Sequence, residues 1–147
     1  MPVLRDARPD DLVVMQKIFR RSSLANERDR AALLRNPDAL VLAPLDPRDR
    51  VRLASLDGEI TGFATTHDVG DALELVDLFV DPTHMRCGAG HALVEDARAH
   101  ALECGHHRLA VTANPHALKF YESAGFVADG TVETEFGSGA RMTLSVP

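Results

Sequence analysis

The residues best suited to chemistry lie in one short stretch, from Asp81 to His91, which reads Asp-Pro-Thr-His-Met-Arg-Cys-Gly-Ala-Gly-His. This stretch stands between a strand-like run and a long helical run. Gly88 and Gly90 allow positive φ and let the main chain approach a ligand with no Cβ in the way. The first turn of the following helix has N–H groups without intrahelical partners, and together with the helix dipole these attract anions. The pattern predicts a cradle for a phosphate-bearing ligand; the alternative is a tight turn with no ligand.

Histidine and cysteine side chains form two groups that are close in sequence. The first group is His84, Cys87 and His91, and the second is Cys104, His106 and His107. Neither group has the Cys-x-x-Cys or His-x-x-x-His spacing that is typical of structural zinc. We therefore expect no metal site.

Length and charge limit the class of protein. The 147 residues fit a single domain, 1–147, that can bury a core without disulfides. The N-terminus lacks the layout of a secretory signal, and no apolar run approaches the ~20 residues that cross a bilayer. We therefore expect a cytoplasmic protein with reduced cysteines and no membrane partner. The formal charge of −6 argues against a nucleic-acid partner and favours a cationic one, such as an amine, while a homodimer is left open.

Hydrophobic spacing and turn residues predict the elements that would position these residues. The first half contains a strand from Val3 to Ala7, an amphipathic helix from Leu12, a second helix between Ser22 and Arg35, an irregular connection from Asp38 to Arg50, and a hairpin of Val51 to Leu56 with Glu59 to Thr66 around Asp57-Gly58. Leu73 to Val80 follow as a central strand, apolar on both faces. The second half contains a helix that ends at Gly105, a strand from Arg108 to Thr112, a helix from Asn114-Pro115 to about Ser123, and two strands, Phe126 to Thr134 and Arg141 to Val146, around a Gly-Ser-Gly turn.

This order of elements, with its local motifs, resembles the GNAT superfamily of acyl-CoA-dependent N-acetyltransferases over nearly the whole chain. The most specific block is Leu78-Phe79-Val80-Asp81-Pro82 followed by Met85-Arg86-Cys87-Gly88-Ala89-Gly90, and the second is Asn114, Ala117, Phe120-Tyr121 and Gly125-Phe126. Met85 stands where the family has Gln or Arg, and Arg86 beside it can supply the positive charge. The resemblance implies an α/β (α+β) fold with a mixed, mostly antiparallel central sheet of about seven strands flanked by about four helices.

The resemblance also implies roles for individual residues. Backbone groups of Phe79 and Val80 would bind the pantetheine arm of acetyl-CoA, and the pyrophosphate would be held by Arg86, Cys87, Gly88, Ala89, Gly90 and His91. Asn114 would be a further coenzyme-binding residue, with an N-cap role as its alternative. Tyr121, the single tyrosine of the chain, would be the general acid near the coenzyme sulfur. Its alternative role is packing beside Phe120.

A general base for the acceptor amine would lie on or beside the central strand. Glu74 and Asp77 are the candidates, and alternation along a strand puts them on opposite faces. Each has an alternative, because Glu74 can sit at a solvated strand end and Asp77 can be hydrogen-bonded at a bulge. Ordered water is the third source of a base.

The resulting hypothesis is direct transfer of an acetyl group from acetyl-CoA to a primary amine on a small molecule or peptide, within a ternary complex. The alternatives are a catalytically silent acyl-CoA-binding module and a βα fold that binds another nucleotide. In this fold the acceptor pocket would be lined by residues from Ser22 to Arg35 and from Glu135 to Gly139. Acidic side chains there and nearby could attract a cation or could be solvated surface: Glu27, Asp29, Glu133 and Glu135.

Overall fold

The computed structural model describes residues 2–85, 87–134 and 137–146, without the side chains of residues 27 and 28. Its strands are β1 (Val3–Asp6), β2 (Arg50–Leu56), β3 (Glu59–Asp68), β4 (Leu73–Val80), β5 (Arg108–Ala113), β6 (Val127–Thr134) and β7 (Gly137–Ser145). Its helices are α1 (Leu12–Leu24), α2 (Glu27–Arg35), α3 (Ala89–Glu103) and α4 (Leu118–Ser123). The strands form one seven-stranded sheet in the order β1-β2-β3-β4-β5-β7-β6. This is the mixed, mostly antiparallel sheet with four helices that the resemblance implies.

The chain divides into two compact units. Unit 1 comprises Met1–Thr65 and Asp77–Leu93, and unit 2 comprises Thr66–Val76 and Val94–Pro147. Strands β3 and β4 and helix α3 therefore each contribute residues to both units.

The core of unit 1 forms where α1 packs on the first strands. Met15 and Ile18 of α1 are buried with Leu53 and Phe63, as the helical spacing of apolar residues predicts. The start of α1 is tied to β1, since the Arg5 guanidinium donates to both carboxylate oxygens of Asp11 at 2.8 and 2.9 Å. Asp11 also accepts a bond from the Arg8 amide at 2.7 Å. These bonds join β1 to the start of α1.

The core of unit 2 forms on one face of β5 and β7. These strands pair antiparallel, with Leu109 opposite Leu144 and Val111 opposite Met142. All four side chains are buried. β4 joins this unit in parallel to β5 through the pairs from Leu73 with Leu109 to Leu75 with Val111.

Several local predictions are wrong. The Gly-Ser-Gly segment is not a turn, because Gly139 pairs with Val132 and Ser138 with Glu133 within the β6–β7 hairpin. A Cβ on Gly139 would lie 3.0 Å from Thr112 Cγ2 and 3.2 Å from the Ala113 carbonyl oxygen, so this glycine lies at a position of close strand packing and not in a turn. Residues 135 and 136, between the two strands, lie outside the described residues.

Central strand β4 is also less covered than predicted. Leu73 and Leu75 are buried, but Val76 is 54% exposed and Glu74 is half-buried. The alternation shows that only one face of this part of the strand is covered. The second helix, predicted between Ser22 and Arg35, begins at Glu27, because α1 continues to Leu24. The helix predicted from Asn114-Pro115 begins with a 3₁₀ turn, Pro115–Ala117.

In the part of the chain that the structure describes, no helix has the length and apolarity that a membrane span requires. Nor do the described residues gather three His, Cys, Asp or Glu side chains that could hold a metal ion.

Candidate active site

The loop between β4 and α3 combines a glycine turn with the start of a 15-residue helix. Gly88 has φ of +84°, which only glycine adopts without strain, and its carbonyl accepts the first intrahelical bond from Ala92 N at 3.0 Å. Gly90 lies inside α3, so only one of the two glycines serves the turn. The amides of residues 89–91 precede that first bond and belong to the turn that has no intrahelical acceptors. Arg86 lies outside the described residues.

Asp81 fixes the start of this loop. Its Oδ1 accepts bonds from Thr83 N at 3.0 Å and Thr83 Oγ1 at 2.9 Å, and its Oδ2 accepts one from Arg21 Nη1 of α1 at 3.0 Å. Its own amide donates to Thr61 O of β3 at 2.8 Å. Burial raises the pKa of the Asp81 carboxyl, but the Thr83 bonds and the Arg21 charge outweigh it, and the pKa is lowered. The carboxylate is therefore held in its ionised form.

The end of β4 is packed from two sides within unit 1. The Phe79 ring meets Phe19 of α1 with centroids 4.8 Å apart and Phe63 of β3 with centroids 5.5 Å apart. A Cβ on Gly62 would lie 2.8 Å from the Phe79 carbonyl oxygen, so β3 can approach this strand only with glycine there. The Phe79 side chain belongs to the core, and Val80 after it is half-buried.

Other loop residues differ in exposure. Met85 is 60% exposed, and Cys87 and His91 are also exposed. Ala89 is buried at the start of α3. Cys87 and Cys104 are free thiols.

Tyr121 and Asn114 lie in unit 2. Tyr121 is 6% exposed, and its ring meets Phe120 and Phe126 edge-on, with centroids 5.3 Å apart in each case. The Tyr121 ring therefore packs beside Phe120, as its alternative role predicts. Asn114 lies at the N-cap position of the 3₁₀ turn, as its alternative role predicts, but its side chain is exposed and makes no capping hydrogen bond.

The two candidate bases have different surroundings. Glu74 forms a two-pronged ion pair with Arg141, whose Nη1 and Nη2 lie 2.7 and 3.1 Å from Oε1 and Oε2. Asp77, in unit 1, accepts a hydrogen bond from the Thr65 hydroxyl. Burial raises the pKa of the Asp77 carboxyl and the Asp49 charge adds to this, while the Thr65 bond opposes it.

Sequence reasoning did not single out four residues of these surroundings: Arg21, Gly62, Thr65 and Arg141. Gly62 carried a usable signal, and so did Asp81, the partner of Arg21. An isolated glycine in a strand, as at Gly62, indicates a close backbone approach. An Asp-Pro-Thr run, as at Asp81, is typical of a side-chain-capped turn that needs its carboxylate. The pairings of Arg21 and Arg141 had no local signal.

Comparison with known proteins assigns the class. The model of the acetyltransferase (GNAT) domain matches residues 38–143. The chain therefore belongs to the GNAT acetyltransferase family. A search of curated proteins finds no match.

Solved structures with the same fold cover nearly the whole chain. A GCN5-related N-acetyltransferase from Rhodopseudomonas palustris has a TM-score of 0.75 at 25% identity, over 99% of this chain and 96% of that one. The PaiA N-acetyltransferase from Thermoplasma acidophilum, in complex with coenzyme A, has a TM-score of 0.76 at 17% identity, over 99% of both chains. The ribosomal-protein-S18-alanine N-acetyltransferase from Escherichia coli has a TM-score of 0.74 at 24% identity, over 99% of this chain and 94% of that one.

Proposed function

We propose that this protein transfers an acetyl group from acetyl-CoA to a primary amine by direct attack in a ternary complex. The observation that carries the proposal is the turn in unit 1 between the end of β4 and the first residues of α3, in which Gly88 with φ of +84° directly precedes α3. A glycine turn followed by the first amides of a long helix is a physical match for a pyrophosphate. The coenzyme A complex of the Thermoplasma acidophilum neighbour supports the identity of the donor.

The residues of unit 1 fit the proposed donor by chemistry. The amides of Ala89, Gly90 and His91 would donate to the pyrophosphate, with Cys87 and Gly88 shaping the turn and Arg86 adding positive charge. Backbone groups of Phe79 and Val80 would bind the amides of the pantetheine arm, as an added strand does. Met85 carries no charge, so the pyrophosphate would be held by the main-chain amides and by Arg86.

The transfer requires two proton movements. The neutral amine nitrogen attacks the thioester carbonyl carbon, a C–N bond forms, and the C–S bond breaks. Tyr121 would give its proton to the departing thiolate sulfur. Asp77 or ordered water would take the proton that the nitrogen loses. We favour Asp77 over Glu74, because its pKa is raised, whereas both Glu74 oxygens already accept bonds from Arg141.

The proposed acceptor is a primary amine on a small molecule or peptide. The formal charge of −6 favours a cationic partner. Asp29 and Glu133 are described acidic residues near the expected acceptor segments, and the Ser138 hydroxyl donates to Glu133. Glu135 and the Glu27 side chain lie outside what the structure describes.

Thiol release tests the function. The protein is incubated with acetyl-CoA and a panel of amines (polyamines, aminoglycosides, lysine peptides and peptides with free N-termini), and free coenzyme A is measured with a thiol reagent. We expect release that depends on both protein and amine, with acetylated amine seen by mass spectrometry. Saturable acetyl-CoA binding without release on any amine would replace the enzyme by a silent binding module. A Tm that is raised by other nucleotides but not by coenzyme A would reject both the acetyltransferase and the silent acyl-CoA-binding module.

A further inference from the structure

The β4–α3 loop is held by a side chain that lies far from it in sequence. Arg21 of α1 and Asp81 are 60 residues apart, yet their side chains lie 3.0 Å apart within unit 1. The Asp81 side chain is 8% exposed, whereas that of Arg21 is 51% exposed. The carboxylate is thus buried and the arginine reaches it from the surface.

The same carboxylate closes the turn at the start of the loop. Its other oxygen accepts two bonds from Thr83, and the Asp81 carbonyl accepts His84 N at 2.8 Å. Asp81 therefore joins three parts of unit 1: β3 through Thr61, α1 through Arg21, and its own turn through Thr83.

Helix α1 contacts both the strand end and the loop start. Phe19 packs on Phe79, and Arg21, two residues later, pairs with Asp81, two residues after Phe79. We propose that the Arg21–Asp81 pair positions the β4–α3 loop for the coenzyme pyrophosphate, so that Arg21 and Asp81 are positioning residues for donor binding. This inference rests on the proposed function, because it assumes that the loop receives acetyl-CoA.

A truncated donor separates positioning from general stability. S-acetylpantetheine has the thioester and the pantetheine arm but lacks the pyrophosphate and nucleotide. If the pair positions the pyrophosphate loop, its loss weakens acetyl-CoA use and leaves the truncated donor unaffected. If the pair only stabilises the fold, both donors are affected alike.

The variants separate the ion pair from the turn. Arg21→Gln removes the charge and leaves the Thr83 bonds, Arg21→Lys keeps the charge, and Asp81→Asn keeps an acceptor for Thr83 without the carboxylate. Arg48→Gln is the matched control, since its exposed pair with Asp46 lies in the connection before β2. We expect KM for acetyl-CoA to rise about tenfold in Arg21→Gln, the effect of one lost charge-assisted bond, with kcat unchanged. Arg21→Lys should recover part of the loss, and Arg48→Gln should behave as wild type.

Calorimetric titration of the wild-type protein with coenzyme A distinguishes the two levels of failure. Absence of binding would overturn the proposed function itself. Wild-type binding, with Arg21→Gln and Asp81→Asn unchanged in KM for acetyl-CoA, would overturn the positioning role alone. An equal loss of kcat/KM for acetyl-CoA and S-acetylpantetheine would reduce the pair to a structural contact.

Discussion

At the scale of single residues, Tyr121 has a ring and a hydroxyl with separable roles. The ring is buried between Phe120 and Phe126, so Tyr121→Phe keeps the ring packing and removes the hydroxyl, which is the proposed acid. Since a positioned general acid contributes about 10²-fold or more, we expect kcat to fall about 100-fold with little change in Tm. Stopped assays of coenzyme A release measure kcat, and thermal melting measures Tm. Full rate in Tyr121→Phe would remove the acid role, and Phe126→Leu controls for lost packing without loss of a hydroxyl.

The charged Asp77 carboxylate, the favoured candidate base, should lower the stability of the folded protein at neutral pH. Burial raises the pKa of Asp77 in the folded protein above its value in the unfolded chain. At pH values between these two pKa values the folded protein binds more protons than the unfolded chain, so its stability falls as pH rises through this range. Asp77→Asn should therefore have a higher Tm than wild type at neutral pH, and this difference should disappear below the unfolded pKa. Its kcat should fall at least tenfold if Asp77 is the base.

The matched variant for Asp77 is Glu74→Gln. It breaks a part-buried ion pair with Arg141, so we expect its Tm to fall at neutral pH. Melting curves at several pH values make the comparison. A lower Tm for Asp77→Asn at neutral pH would show that the folded protein stabilises the charged Asp77 carboxylate, which would contradict its raised pKa.

At the scale of elements, the contact between β3 and β4 depends on one missing side chain. Gly62→Ala would place a Cβ 2.8 Å from the Phe79 carbonyl oxygen, and backbone atoms there must shift. We expect a loss of about 1–3 kcal/mol in the free energy of unfolding, the usual cost of overpacking, and weaker coenzyme A binding. Denaturant unfolding and calorimetry check both. Gly130→Ala is the control, because its Cβ would meet Arg141 Cβ at an ordinary 3.8 Å, and equal losses in both variants would contradict the close approach.

The junction of β1 and α1 should give the protein an acid-sensitive contact. Arg5 hydrogen bonds, with the Arg8 amide, lower the pKa of Asp11 from 3.8 to about 2 against the opposing effect of burial. A lowered folded pKa stabilises above the unfolded value, and this stabilisation is lost as pH falls from about 4 towards 2. We expect Asp11→Asn to cost about 1–2 kcal/mol at pH 7, measured by urea unfolding, and only a small part of that near pH 2. An equal cost at both pH values would point to lost packing instead.

At the scale of the whole molecule, direct attack requires both substrates to be bound together. Initial rates measured at varied acetyl-CoA and amine should therefore give intersecting reciprocal plots. The exposed thiols Cys87 and Cys104 are the groups that could otherwise carry the acetyl group. Intact mass after incubation with acetyl-CoA alone should show no acetylated protein. Parallel plots with an acetylated cysteine would replace the direct mechanism by a two-step one.

That residues 1–147 form a single acetyltransferase domain stays a prediction, and whether the protein forms a homodimer stays open. Neither follows from the strand order or from the description of the two units. Limited proteolysis and sedimentation measure them directly.

The features that sequence determined by itself are set by neighbouring residues. Asp57 and Gly58 both adopt positive φ in the β2–β3 hairpin, as an Asp-Gly turn requires. β4 spans Leu73–Val80 as predicted, since its apolar run and flanking turns are local signals. The glycine turn before α3 was also predictable, because Gly88 acts through its own backbone angles.

Only the tertiary structure decided which distant side chains meet. The Arg21–Asp81 and Arg141–Glu74 pairs join residues 60 and 67 positions apart, and no local spacing encodes such a pairing. Gly139 looked like a turn residue, yet the register of β6 with β7 makes it a close-packing position against Thr112. Local residues determined the glycine turn before α3. Strand register and helix packing decided which side chains hold that turn in place. They also paired Glu74 with Arg141 and left Asp77 without an arginine partner among the described contacts.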